Sequence, residues 1–445
     1  MGSWNSALNT EHEHVSTLTT VLLACATYYT MGVLVQLNGT SLTRFALLPV
    51  VLWTAWSTTR SLNPWKGDGT QLHVNYSIAS AIVMFTGRAI SWVFVREPFQ
   101  RFPLPEKNRA SDRTESHISM DVSEPDGTNI RKALRDACDL VLNIRGIGWS
   151  WSRIPYARYG AHQSRAKFLL KALASIACNA LAADVAVEIV HAIIPAATGR
   201  VTILDVNLPL PQRLLYASII SGVYTSVVYF LVELSYNALA ICFVIALGHV
   251  PAQWPPVFDK PWKSTSLGEF WGKRWHQLLR DYVISLGSRP FTACLAMSTP
   301  ASTNVAAMDR SQSSKRGPLF VLGAFFVSGI FHDISFRTLG RGGKPIQMIG
   351  FFVMQGVGVI LERAFFKSSL CGQLKSPAYK ALGHIWVILW LLMWGIPYVD
   401  VCAQTGILEV RLFPEPLKPL RIIHVVWDMI ATNLINFSSA SGLSQ

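Results

Sequence analysis

Long apolar segments recur along the 445-residue chain, and they constrain its fold more than any other feature. A helix needs about 20 predominantly apolar residues to cross a bilayer. The apolar segments cover residues 15–37, 42–56, 72–95, 168–194, 214–249, 318–336, 346–366, 381–401 and, more weakly, 422–437. Only 15% of the residues are charged, whereas a soluble protein carries about 25%. We therefore predict an all-α, polytopic integral membrane bundle with about eight to nine transmembrane spans.

The polar residues divide the chain into three predicted regions. Residues 1–95 hold the first transmembrane spans, residues 96–167 form a basic polar insert, and residues 168–445 form the membrane core. Residues 106–129 within the insert lack aromatic side chains, which is typical of a flexible loop. Basic loops of membrane proteins face the cytosol, so we place the insert there. As the location we predict the endoplasmic reticulum membrane, for a multi-pass protein.

The net charge of +13 would suggest nucleic-acid binding in a soluble protein. Here the basic residues cluster in loops between apolar segments, so membrane lipid or a phosphorylated cosubstrate is the predicted partner, and no nucleic acid is expected. The 7 cysteines are scattered, and none forms a C-x-x-C pair. We therefore expect neither a disulfide framework nor a metal site.

Residues 266–283 form the first segment with chemical interest. Ser266 is followed three residues later by Glu269, a capping-box pattern that predicts the start of a helix. One face of that helix would carry Trp271, Trp275, Leu278 and Tyr282. His276 lies beside this face. Such a helix could simply lie in the membrane interface, or it could be a cytosolic surface that binds a phosphorylated cosubstrate through Lys273, Arg274 and Arg280.

His332 lies within the apolar segment 318–336, at a position that would be deep in the membrane. An ionisable group there is a functional candidate, because an unpaired polar group in hydrocarbon costs several kcal/mol. Ser328 and Gly329, one turn earlier, would let a neighbouring helix or a ligand approach the imidazole. The alternative is a histidine that only bonds across a helix interface.

Two acidic residues, Asp184 and Glu188, lie one turn apart in another apolar segment, residues 168–194. They could line a proton or ion path, but hydrogen bonding between helices, or the wall of a polar cavity, is the favoured interpretation.

Two motifs together resemble one enzyme family. Residues 270–277 read FWGKRWHQ and residues 326–332 read FVSGIFH, and both lie in the C-terminal half. They resemble the wax synthase-like branch of the membrane-bound O-acyltransferases. The sequence NIRGIGW at residues 143–149 is similar to a segment of fungal members that acetylate terpenoids and meroterpenoids.

This resemblance implies transfer of an acyl group from acyl-CoA to a hydroxyl of a hydrophobic small-molecule alcohol, with no bound cofactor. The similarity to the fungal members favours acetyl-CoA as the donor. It implies that His332 is the catalytic residue and that His276 shares the catalytic site, with the division of roles between them open. The predicted acyl-CoA-binding residues are Lys273, Arg274, Arg280, Trp271 and Ser328. A neutral imidazole, with a pKa near ~6.5, can take the proton of an attacking alcohol.

Three alternatives remain open at this point. A long-chain wax-ester synthase would use the same chemistry with a longer acyl donor. A transporter should show repeat symmetry, and none is apparent in the sequence. A membrane terpene cyclase would need carboxylic acids within the membrane, whereas the motif positions hold histidines.

Overall fold

The computed structural model describes residues 2–61, 72–102, 129–152, 164–194, 202–298, 305–338, 340, 342–367, 377–409 and 412–441. Most of these residues are helical and none of them forms a β-strand, which confirms the all-α fold. The helices are α1 Gly2–Val35, α2 Ser41–Ser61, α3 Leu72–Val93, α4 Ile130–Leu142, α5 Arg165–Ile193, α6 Leu210–Ala246, α7 Leu267–Glu269, α8 Arg280–Val283, α9 Arg289–Ser298, α10 Val305–Thr338, α11 Pro345–Lys367, α12 Pro377–Gln404 and α13 Pro419–Ser441. The loop predicted at 106–129 lies, except for Asn129, outside the described residues.

Within the described residues, seven helices are long and apolar enough to cross a membrane. They contain Leu18–Val35, Leu72–Val93, Arg165–Ile193, Leu210–Ala246, Gly317–Thr338, Pro345–Phe365 and Lys380–Gln404. This number is smaller than the eight or nine spans expected, because α2 and α13 do not meet the same criterion. In α2, Arg44 and Arg60 and several threonines lower the hydropathy. The long segment at 214–249 forms one continuous helix, α6.

The outer surface of α12 has the character of a lipid-facing helix. Leu382, Ile385 and Leu389 are 64%, 52% and 60% exposed. Their spacing of three and four residues places them on one side of the helix. Large apolar side chains exposed in this pattern match the hydrocarbon of a bilayer better than water.

Backbone contacts divide the chain into two compact units. The first contains Met1–Gly67, Asn75–Ser164 and His249–Tyr398, and it includes both motif histidines. The second contains Asp68–Val74, Arg165–Gly248 and Val399–Gln445. The three-region division of the sequence stays a prediction.

In the first unit, one core joins α1, α2 and α3 to the segment around α4. Its buried members include Met31, Trp92, Leu140 and Trp149. Arg88 is also buried, and its guanidinium donates to the carbonyl oxygen of Leu140 at 3.0 Å. The same guanidinium lies over the ring of Trp92, 5.0 Å from the centroid, which gives this buried cation a second favourable contact.

In the second unit, α5 packs along α6 and binds the start of α13. Asp184 accepts a hydrogen bond from the backbone N–H of Leu420 at 3.0 Å. Glu188 forms an ion pair with Lys418. Asp184 and Glu188 therefore join two helices, which agrees with the bonding interpretation rather than with an ion path.

Two close backbone crossings hold α10 in place. A Cβ atom on Gly287 would lie 2.1 Å from the carbonyl oxygen of Gly323. A Cβ atom on Gly329 would lie 2.8 Å from the Cα atom of Ile349 on α11. Only glycine allows helices to approach this closely. The second crossing is one turn from His332, so Gly329 brings α11 beside the imidazole as its sequence position suggests.

Candidate functional site

The segment that carries His276 is not the continuous helix that its sequence predicts. Ser266 does cap α7, because its hydroxyl accepts from the N–H of Glu269 at 3.0 Å. After three residues α7 gives way to a π-helical turn, Phe270–Arg274. Trp275 is then extended, and the chain becomes helical again only at α8. The predicted single face of Trp271, Trp275, Leu278 and Tyr282 on one helix is therefore wrong.

The side chain of Gln277 provides a physical reason for this break. Its amide donates to the carbonyl oxygens of Trp271 and Trp275, at 3.2 and 2.6 Å. In an uninterrupted helix the Trp271 carbonyl would accept from the N–H of Trp275. That N–H instead donates to the carbonyl oxygen of Phe270 at 2.7 Å. His276 consequently lies in a non-helical turn.

A buried carboxylate anchors the start of this segment. Glu362 on α11 accepts from the backbone N–H groups of Leu267 and Gly268, at 2.6 and 3.0 Å. It also accepts from the indole N–H of Trp386 on α12, at 2.7 Å. A carboxylate at a helix N-terminus satisfies N–H groups that have no partner within the helix. Glu362 thereby fixes the segment of His276 against α11 and α12.

Replacing Glu362 with alanine should destabilise the protein and lower turnover. The change leaves three donors without this acceptor, and the N–H of Leu267 is buried, where an unsatisfied donor costs about 1–3 kcal/mol. Thermal unfolding in detergent and a turnover assay would measure both effects. Glu362→Gln should be milder, because the amide oxygen can still accept, and Glu97→Ala is an exposed control. Wild-type stability and turnover in Glu362→Ala would contradict the anchoring role.

His332 lies on α10 among aromatic side chains. Its ring stacks on Phe352 of α11 with 4.6 Å between centroids and 4° between planes. The Nδ1 atom is 2.9 Å from the hydroxyl oxygen of Tyr76 on α3. The ring of Tyr398 on α12 lies edge-on to the imidazole, with 6.5 Å between centroids. Three helices besides α10 therefore define the position of this imidazole.

His276 and His332 come from different elements of the same structural unit. A series of aromatic contacts joins the two rings, through Trp275, Trp271, Phe351 and Phe352. Burial lowers the pKa of His276 to about 4, which keeps the imidazole neutral at physiological pH. Its Nδ1 atom is buried without a hydrogen-bond partner in the described part of the chain. One ring nitrogen of His276 is thus available to a ligand.

The residues predicted to bind the cosubstrate have different surroundings. Lys273 is exposed. Arg274 bonds to the carboxylate of Glu269 at 2.7 and 2.9 Å and to the backbone of Asp259 at 3.0 Å. Arg280 lies 3.3 Å from the amide oxygen of Gln277. Of these three cations, Arg274 is the most fully engaged within the protein.

The other two predicted residues, Trp271 and Ser328, lie on the same segments as the two histidines. The indole N–H of Trp271 donates to Gln355 of α11 at 3.3 Å, and its ring meets Phe325 edge-on. Ser328 is half-buried one turn before His332 on α10. Trp271 and Gln355 therefore tie the π-helical turn to α11.

A pocket that is partly open to solvent lies next to this site. Its walls come from the end of α3, from residues 144–151 and from residues 278–289. Arg88, Asp281 and Arg289 contribute charge to a lining that is otherwise largely apolar and aromatic. Tyr282 forms part of the wall and packs edge-on against Phe331, the neighbour of His332, at 5.5 Å. Two aromatic rings thus connect the pocket with the histidine site.

The sequence did not reveal Tyr76, Glu362 or this pocket. Tyr76 is 256 residues from His332 along the chain, and Glu362 is 95 residues from Leu267. A tyrosine near the end of one apolar segment and a glutamate near the end of another carry no local signal of these partners.

Residues 254–354 match the family model described as the membrane bound O-acyl transferase family, and this range contains both histidines. The chain is similar to acetyltransferase atnC of Arthrinium sp, with 28% identity over 72% of this chain and 75% of the relative. It is 24% identical to acetyltransferase ple2 of Rhodocybe pseudopiperita over 76% and 82% of the two chains. A long-chain-alcohol O-fatty-acyltransferase of Simmondsia chinensis is 31% identical over 29% of this chain and 34% of its own. These matches confirm the resemblance seen in the two motifs.

Proposed function

The chain belongs to the membrane-bound O-acyltransferase family, and we propose that it transfers an acetyl group from acetyl-CoA to a hydroxyl of a hydrophobic small molecule. It is a multi-pass membrane acyltransferase. Two similar fungal proteins are named acetyltransferases, which supports acetyl as the acyl group. A terpenoid or meroterpenoid of secondary metabolism is the proposed acceptor, and the endoplasmic reticulum is the proposed location.

The observation that carries this proposal is the series of aromatic contacts that joins the rings of His276 and His332. An alcohol is a weak nucleophile until a base takes its proton, and a positioned imidazole supplies such a base. The acyl carbonyl develops negative charge when it is attacked, and a second hydrogen-bond donor stabilises that charge. Two neutral imidazoles can divide these two tasks.

The reaction proceeds in two steps. The alcohol oxygen attacks the thioester carbonyl while Nε2 of His332 takes the hydroxyl proton, and His276 donates a hydrogen bond to the resulting oxyanion. When the tetrahedral intermediate collapses, the carbon–sulfur bond breaks and the imidazolium of His332 returns its proton to the CoA sulfur. The products are the ester and free CoA, and no acyl-enzyme forms.

The pocket beside Tyr282 is suited to the CoA portion of the donor. Its apolar walls can hold the pantetheine chain, while Arg289 offers an exposed guanidinium to the phosphates. Lys273 and Arg280 lie on the same segment and supply further cations. Since Arg274 is paired with Glu269, we propose that it mainly fixes this segment.

Reversing the charge of Arg289 tests the donor site. In Arg289→Glu the KM for acetyl-CoA should rise about 10-fold, as expected for a loss of about 1.4 kcal/mol, while the KM for the alcohol stays unchanged. Steady-state kinetics with each substrate varied in turn would show this. Lys380→Glu makes the same charge change at an exposed position outside the pocket lining. An equal rise in both KM values, or no rise, would show that the CoA phosphates do not bind in this pocket.

The function itself is tested in microsomes that contain the protein. Labelled acetyl-CoA and a panel of terpenoid alcohols should yield labelled esters, which are absent from microsomes without the protein. A donor series from acetyl-CoA to palmitoyl-CoA then separates acetyl transfer from wax-ester synthesis. Wax-ester synthesis is the alternative function, because the Simmondsia relative is named a long-chain-alcohol O-fatty-acyltransferase. Faster turnover with palmitoyl-CoA than with acetyl-CoA would favour wax-ester synthesis over acetyl transfer.

A further inference from the structure

Tyr76 is placed to control the orientation of His332. Its hydroxyl oxygen is 2.9 Å from Nδ1 of His332. Its ring packs against Phe336 with 4.4 Å between centroids, and Phe336 is buried one turn after His332 on α10. The tyrosine therefore contacts α10 at two successive turns, which fixes the position of its hydroxyl relative to the imidazole.

Two contacts together restrict the imidazole ring. The parallel stack on Phe352 sets the plane of the ring. The hydrogen bond with Tyr76 sets the rotation within that plane, because it occupies Nδ1. Only Nε2 then remains for a substrate.

The hydrogen bond is compatible with the tautomer that a general base needs. In a neutral imidazole, Nε2 has a free lone pair only when the proton is on Nδ1. That Nδ1–H group needs an acceptor, and the Tyr76 oxygen is within hydrogen-bond distance. When Nε2 takes a proton, Nδ1–H keeps donating to the same oxygen. A phenol performs this task without bringing a second charge into an apolar region.

We propose that Tyr76 is a positioning residue that holds His332 in the tautomer with the proton on Nδ1 and so presents Nε2 to the alcohol. This inference rests on the proposed function, in which His332 is the base. The alternative is that Tyr76 only fills space against Phe336. The two roles require different parts of the side chain, since the first needs the hydroxyl and the second needs the ring.

Two substitutions at Tyr76 separate these roles. Tyr76→Phe keeps the ring and removes the acceptor, so kcat should fall about 10- to 100-fold, the range typical for loss of a partner that orients an imidazole. The KM values for acetyl-CoA and the alcohol should stay unchanged. Tyr76→Gln loses the ring but offers an amide oxygen, and its kcat should exceed that of Tyr76→Phe. Wild-type kcat in Tyr76→Phe, or a lower kcat in Tyr76→Gln than in Tyr76→Phe, would overturn the proposal.

Tyr28→Phe is the matched control. It removes a buried hydroxyl that has no hydrogen-bond partner in the described part of the chain, in the same structural unit. Its kcat should equal that of the wild type, and all variants should be compared at equal amounts of extractable protein. His332→Ala is assayed in parallel. An active His332→Ala contradicts the proposed function, whereas an inactive His332→Ala with a fully active Tyr76→Phe contradicts only the role of Tyr76.

Discussion

Replacing His332 with alanine should remove nearly all turnover, because the loss of a positioned general base typically costs ~10²–10⁴ in rate. No other described imidazole takes over this position. His276 is the nearest candidate, but it lies in a separate turn after the π-helical segment. The site would still bind its substrates, so the loss should fall on kcat rather than on KM.

The same substitution should leave the protein inserted in the membrane. Exchanging a polar ring for a methyl group within an apolar span favours insertion. The stack on Phe352 is lost, but α10 keeps its crossings at Gly323 and Gly329. Detergent extraction and size-exclusion chromatography would verify the fold, and His424→Ala, at an exposed position on α13, is the control. Wild-type turnover in His332→Ala at equal expression would make His276 the leading base.

The membrane helices could be predicted because their ends follow from local composition. The segment predicted at 72–95 forms α3, Leu72–Val93, and the one predicted at 346–366 forms α11, Pro345–Lys367. In both, the apolar run itself determines the length of the helix. The segment at 42–56 behaves differently. In α2 the buried guanidinium of Arg44 bonds to backbone carbonyl oxygens at the end of α3, a tertiary contact that hydropathy does not reveal.

The turn that carries His276 shows why a local pattern can fail. Ser266 and Glu269 predict the helix start correctly, yet the pattern contains nothing that ends α7 after three residues. The break depends on Gln277 binding backbone carbonyls and on Glu362 holding the N-terminus from another helix. The glutamate of the predicted capping box also has other partners than the pattern predicts, because the carboxylate of Glu269 bonds to Thr265 and Arg274. Three-dimensional contacts therefore decide the shape of the motif.

The histidines themselves could be found in the sequence, whereas their partners could not. A histidine in an apolar span is recognisable because it is costly there. Tyr76 and Phe352 are ordinary members of apolar segments, and only the packing of α3 and α11 on α10 brings them to the imidazole.

Replacing His276 with alanine should lower kcat by ~10²–10³, the cost typical of removing one donor to an oxyanion. Its buried Nδ1 atom has no partner among the described residues, so this ring is free to bond to a reacting group. Because burial lowers its pKa to about 4, the ring acts as a neutral donor rather than as a cation at physiological pH. The edge contact with Phe258, with 5.8 Å between centroids, holds the ring in place.

His276→Asn should retain more turnover than His276→Ala, because a carboxamide can still donate a hydrogen bond and is similar in reach to one side of the imidazole. An asparagine cannot act as a base at neutral pH, so its activity separates donation from proton transfer. Steady-state kcat for the two variants, compared with His424→Asn as an exposed control, measures the difference. If the asparagine variant were as impaired as the alanine variant while both remained folded, donation would be excluded. His276 would then share the task of proton transfer with His332.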